Sequence, residues 1–298
     1  MSERPWIAVG AASLLIVGVA GCCGRRSAPI PDPEPRESEI AEDAGAGATR
    51  SAEAQEPPRF GGCDEDNKQI YVVTDDYRLV RFLPVKRLFH PIGKVGCAAS
   101  GRASPYSMAV DRHGMAYVLY NSGELFKVST RDARCEKTTF AEGQQGMKLF
   151  GMAFVTDGPD GVSESLWVAG FEEPWRLAKI DVPSMKMQAP LAVKGKGGSF
   201  ELTGRGDGRV FGFDPEPPAR IVEIDTASGA ISQDRRVKGL PKCQSWAVAQ
   251  YWGDFWVFCD NQLTRYSLKD DSSEVVQADT GYRIVGAGVS TCAPSSKP

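Results

Sequence analysis

Four stretches of this chain repeat one another at long range, and its two ends supply complementary halves of a fifth. In "YSMAVDRHGMAYVLYNSGELFKVSTRDARCEKTTF", residues 106–140, turn signals at 111–114, 121–123 and 129–133 separate four short strand-like runs. Residues 149–193 keep the same order, with Met152 answering Met108 and "SLWVA" answering "MAYVL". A third copy starts at Ser199 and a fourth at Ser245. The steps from Met108 to Met152, Leu202 and Val248 are 44 to 50 residues. That is the length of one four-stranded sheet in a radial array.

The remaining pieces decide how such an array closes. Residues 67–96 read as second, third and fourth strands without a first, whereas "YRIVGAGVS", residues 282–290, reads as a first strand with nothing after it. Together they make one sheet from both ends of the chain, which removes an exposed strand edge. The expected fold is all-β: a five-bladed β-propeller closed by pairing of its N- and C-terminal strands. Six blades, one of them degenerate, is the other count that the spacing admits. No segment carries a convincing helical period.

The "MAVDRHGMAYVLYNSGELFKV" pattern and its echo "LWVAGFEEPWRLAKID" resemble the repeats of extracytoplasmic propellers of NHL-like, SMP-30-like and YncE-like type. The resemblance covers residues 67–290 and reports blade geometry. It implies a circular array outside the cytoplasm, and for the SMP-30-like enzymes a divalent metal held by Glu, Asn and Asp near the channel mouth.

The N-terminus reads as an address. Residues 7–20 are free of charge and about 14 long, short of the roughly 20 that a membrane-spanning helix needs. They fit the apolar core of a secretory signal. The run ends on Val19, Ala20, Gly21 and Cys22, which resembles the lipobox of bacterial lipoproteins. That resemblance implies cleavage before Cys22, lipidation of its sulfur and a stable hold on a membrane by several acyl chains. Cys23 is the poorer candidate, because a bulkier residue would then precede the cut. Cys23 also stands where aspartate would, which points by analogy to the outer membrane of a bacterial cell envelope.

Residues 24–60 are dominated by Pro, Glu, Ala and Ser and cannot bury enough surface to offset the entropy of ordering. The expected organisation is a lipoprotein signal peptide at 1–21, a disordered tether at 22–62, the propeller at 63–293 and a short tail at 294–298. As a coil, the ~37 residues from 24 to 60 would span roughly 30–35 Å.

Six cysteines follow the tether, too many for a chance cytosolic set. Blade order pairs them: Cys63 with Cys292 at the meeting ends, Cys97 with Cys135 between neighbouring blades, and Cys243 with Cys259 beside the first two strands of the last full blade. No two lie at a zinc-site spacing, and neither histidine, His90 or His113, is near them.

Catalytic patterns are sparse. The candidate first strands, which line the axis in this fold, are largely apolar or small, and Glu201 is the only acid within them, with Asp111 and Asp157 at their ends. Glycoside hydrolysis needs two facing carboxylates. No G-x-S-x-G elbow occurs. "GRGDG" at 204–208 reads as a hairpin, and "KGKGG" at 194–198 lacks the strand-then-helix context of a phosphate loop. The formal charge of −3 gives no general attraction to nucleic acid.

The turns between second and third strands carry a recurring polar set: Asp75, Asp76, Asn121, Glu172, Glu173, Asp214, Asp260 and Asn261. Tight hairpins favour Asp and Asn on their own account, yet these positions share one face of the ring and form a candidate binding face. The expected role is a lipid-anchored binding or scaffold module for a protein or envelope polymer, without a cofactor. The alternative is a metal-dependent hydrolase or lactonase of SMP-30 type, which would use a divalent cation held by the acidic turns. Late aromatics, Trp246 to Phe258, are expected to pack between blades, with Trp252 as an exposed contact.

Overall fold

The computed structural model describes residues 63–158 and 161–297; the signal segment and the whole tether, Cys22 included, lie outside the described residues. Five small antiparallel sheets form a ring. The first blade contains β1 (Ile70–Thr74), β2 (Arg78–Leu83) and β3 (Leu88–Lys94). The second contains β4 (Pro105–Val110), β5 (Met115–Tyr120), β6 (Leu125–Ser129) and β7 (Cys135–Lys137). In the third, β8 (Phe150–Thr156), β9 (Glu164–Gly170) and β10 (Arg176–Asp181) are followed by two short pieces, β11 (Lys186–Met187) and β12 (Leu191–Ala192). The outer strand expected there is split because Pro190, lying between the pieces, cannot donate to the ladder.

The fourth blade is β13 (Glu201–Gly204), β14 (Val210–Asp214), β15 (Arg220–Ile224) and β16 (Ile231–Arg236). The fifth is β17 (Trp246–Tyr251), β18 (Asp254–Cys259), β19 (Gln262–Ser267) and β20 (Ser272–Gln277). The last strand, β21 (Ile284–Val289), returns to the first blade and pairs with β1, from Ile70 opposite Val289 to Thr74 opposite Ile284. The chain ends therefore share one sheet, as the sequence predicts.

Apolar side chains fill the gaps between blades rather than a central core. Alternate residues of each strand point to opposite neighbours, so every sheet is apolar on both faces, which gives strands such as β1 and β18 continuous burial. Five clusters result, one for each blade-to-blade gap. The cluster between the fifth and first blades stacks Trp256 and Phe258 against Phe82, with ring centroids 5.1 and 6.1 Å apart. Most of the late aromatics thus pack between blades as expected. Trp252 is half-buried against Tyr251 with its φ at +55°.

Disulfides join Cys63 to Cys292, Cys97 to Cys135 and Cys243 to Cys259. The first lies where both chain ends leave the closing sheet. A polar network continues it. Ser290 donates to the Asn67 carbonyl, and the Asn67 amide donates to the Arg112 carbonyl. Glu164 accepts from Arg112 N–H at 2.8 Å and from the Thr291 hydroxyl at 2.6 Å, tying the seam to the second and third blades. No helix among the described residues is long and apolar enough to cross a membrane.

Candidate functional site

The five inner strands β4, β8, β13, β17 and β21 all start at the same end of the ring, and their first residues form its mouth. A repeated backbone device builds the rim. In four blades the residue just after the second strand donates its N–H to the carbonyl of the residue just before the first: Asp75 to Arg283, Asn121 to Ser104, Phe171 to Leu149, and Asp260 to Ser245. In the fourth blade that position is Pro215, which has no N–H to give. Turn residues are thereby pinned beside the axis.

Between them lies a cavity of about 390 Å³ to which each blade contributes. One wall is aromatic. The Tyr106 and Phe171 rings lie 5.6 Å apart, and the Phe171 and Trp246 rings 6.0 Å apart, all tilted. Arg283 faces Asp75 at 3.9 Å and Asp260 at 3.7 Å across the rim, and it donates to the Gln244 side chain at 3.3 Å.

The floor is Glu201, only 1% exposed. Its side chain passes over β8 and reaches the second blade, where the Ser107 hydroxyl donates to Oε1 at 2.5 Å; the Met152 N–H also bonds the carboxyl. Burial raises its pKa well above the ordinary 4.5, against the smaller opposing pull of these two donors. Tyr106 is pushed up to about 12, first by burial and then by the neighbouring carboxyls of Glu201 and Glu172.

Glu201 therefore makes folding pH-dependent. The native state holds its proton above the pH at which the unfolded chain releases it. The stability it contributes is complete below about 4.5 and declines as pH rises toward the folded value. The slope is about 1.4 kcal/mol per pH unit for one proton. Glu201→Gln is expected to remove this slope while keeping the Ser107 contact. Thermal melts of both proteins from pH 5 to 8 should diverge in favour of the variant, and parallel curves would show that Glu201 is ionised when buried.

The polar turn residues meet different fates. Asp75 lines the cavity. Asp76 is tied to Thr74 and Arg78 on the outer side of the same turn. Asn121 bonds Ser104 through both its amide atoms at 3.1 Å, and Asp260 accepts from the Gln244 and Ser245 N–H groups, so both serve to hold the rim. Asn261 donates to Asp279 at 3.0 Å. Glu172 and Glu173 follow Phe171 in the turn, and of the two only Glu172 acts on Tyr106 at the mouth. Asp214 is buried away from the cavity. It accepts from Arg220, whose remaining donors go to Asp234 and to the Lys196 and Gly197 carbonyls. Among the described residues no three His, Cys, Asp or Glu side chains are placed to hold one ion.

Sequence reasoning passed over Phe171 and left Tyr106 unremarked. A signal for Phe171 existed: it occupies the position after the second strand that Asp75, Asn121 and Asp260 hold in other blades.

No family model matches the chain, and no curated protein matches it. Among solved structures it is similar to the extracellular domain of the hybrid two-component system BT4673 from B. thetaiotaomicron, at 14% identity and a TM-score of 0.40, over 76% of this chain and 30% of that one. The extracellular domain of the one-component system BT4673 from the same organism matches at 14% identity and a TM-score of 0.40, over 73% of this chain and 29% of that one. The chain thus spans less than a third of either.

Proposed function

We propose that this protein is a lipid-anchored binding module of a bacterial cell envelope, and that the mouth of the ring is where it takes its ligand. The observation that carries the reading is the composition of the cavity. Asp75, Tyr106, Phe171, Glu201 and Trp246 come from five different blades and converge on one space. Ring closure thus preorganises the site, which lowers the ordering cost of binding.

Two further features support it. Three disulfides suit an oxidising compartment outside the cytoplasm. The Cys63–Cys292 bridge sits at the end of β1 and β21 opposite Asp75 and Arg283, which leaves the mouth clear of the bridged ends. Cys22 supplies the lipid anchor in this reading.

The test has two parts. Cys22→Ser is expected to move the protein from the membrane fraction to the soluble extracytoplasmic fraction, and retention would refute lipidation there. Cross-linking in intact cells is expected to capture an envelope partner or ligand with the natural chain and to lose it with Phe171→Arg. Equal capture by both would place binding elsewhere on the ring.

A further inference from the structure

We propose that the mouth cavity binds an organic ammonium group, held against the rings of Tyr106, Phe171 and Trp246 and charge-paired with Glu201. The inference rests on the reading of the mouth as the binding site and names what that site takes. The aromatic wall comes first. Three rings from three blades stand side by side, with centroids 5.6 and 6.0 Å apart. The face of an aromatic ring is its negative pole and attracts a cation, the more so away from water.

The floor supplies the charge. Among the described residues no cationic side chain acts on Glu201, whose partners are the Ser107 hydroxyl and the Met152 N–H. The one cation in the lining, Arg283, is already engaged by Asp75, Asp260 and Gln244. A buried carboxyl with no countercharge stays protonated, because ionising it alone in a dry site is costly. An arriving ammonium changes that balance: Glu201 gives its proton to solvent, and the carboxylate and ammonium pair.

The other charged groups agree. From β4, Tyr106 faces Glu201 with its own proton held tightly; from the turn after β9, Glu172 adds negative charge beside Tyr106; across the cavity stand Asp75 and the engaged Arg283. Such surroundings disfavour an anion. About 390 Å³ suits a headgroup or a single lysine-like side chain rather than a folded partner.

The experiment titrates the purified full-length protein with choline and with n-butylammonium. 3,3-Dimethylbutanol serves as the neutral isostere of choline, and butanesulfonate and glucose as further controls. Tryptophan fluorescence reads binding, and calorimetry in two buffers of different ionisation enthalpy reads the proton. An ammonium is expected to saturate the protein and to bind roughly tenfold tighter than the neutral isostere. Binding should release up to about one proton per site. Choline ahead of butylammonium would indicate a quaternary headgroup, and the reverse order a lysine-like amine.

Glu201→Gln is expected to lose roughly tenfold in affinity and all of the proton release. Phe171→Ala, in a turn and outside every strand, is expected to weaken binding several-fold while keeping the proton release. Equal binding of the neutral isostere, preference for the sulfonate or glucose, or unchanged affinity in either variant would overturn the inference. A protein that ignores both ammonium probes, yet still loses its cross-linked partner in Phe171→Arg, would sink the ammonium and leave the binding mouth standing.

Discussion

Gly204→Ala is expected to destabilise the ring severely. A Cβ at residue 204 would lie 1.9 Å from the Phe154 carbonyl oxygen and 2.7 Å from Val155 Cγ2. The reciprocal contact holds at the other end of the same strand pair, where a Cβ on Gly151 would meet the Phe200 oxygen at 2.2 Å and Glu201 Cα at 2.6 Å. The obstructing atoms are mostly backbone and have no rotamer to retreat into. Either β8 or β13 must shift outward, and in a closed ring each inner strand is held on both sides. Overpacking of an adaptable core costs about 1–3 kcal/mol. Here neither wall can give, so more than about 4 kcal/mol is expected, which for a domain of this size lowers Tm by about 10 °C or more. Gly96→Ala is the control, since nothing lies within 4 Å of its added Cβ. Urea and thermal unfolding of the two variants beside the natural chain decide the matter. A Gly204→Ala protein melting within about 2 °C of the natural chain would mean that the inner strands are not in close contact.

The same close approach explains what could and could not be read beforehand. The ring is legible in one dimension because each blade spends its residues alike. Met108, Met152, Leu202 and Val248, spaced by one blade, all prove buried on inner strands. The seam is legible because 282–290 looks like a first strand and 67–96 looks like the strands after one. Periodicity identifies which strand lines the axis but not how wide the axis is. That width depends on Gly151, Gly204, Gly286 and Gly288 letting backbones touch, and only in so narrow a ring does Glu201 reach from the fourth blade to Ser107 of the second. An acid that would hang in water in a wider propeller becomes a buried plug here.

The polar turns misdirect for a related reason. Asn121 and Asp260 satisfy N–H groups of the segments that lead into the inner strands, Ser104 for the first and Gln244 and Ser245 for the second, so their chemistry is largely consumed in building the rim. In the third blade the acids of "GFEEP" draw attention, whereas the neighbouring Phe171 turns to the axis. Asp214 is misleading in another way. Its partner Arg220 lies six residues on, across the hairpin, and the pair is buried. What distinguishes a rim residue from a structural one is the position just after the second strand, a matter of register rather than residue type.

Breaking the Cys63–Cys292 bridge, with serine at both positions, is expected to destabilise the protein more than breaking either other disulfide. The bridge closes a separation of 229 residues, against 38 for Cys97–Cys135 and 16 for Cys243–Cys259. In the chain-entropy account its loss frees the unfolded state by roughly 5 kcal/mol at most, and about 2 kcal/mol more than loss of the shortest loop. A decrease in Tm of roughly 10 °C follows. The native state is also affected, because the seam is the one place where a sheet is completed by chain ends rather than by a hairpin. Without the bridge, β21 is held to β1 by the ladder from Ile70–Val289 to Thr74–Ile284 and by the Ser290–Asn67 contact, while Thr291 ties the C-terminal end to Glu164 of the third blade. Amide exchange should accordingly quicken in β1 and β21 first, while the second and fourth blades, each closed by consecutive hairpins, keep their protection. The mouth should loosen with the seam, since Asp75 and Arg283 both follow from that pairing. Three double-serine variants melted side by side, with exchange measured on the first, supply the comparison. If all three melt alike, or if exchange spreads evenly around the ring, the chain ends are not its weak joint.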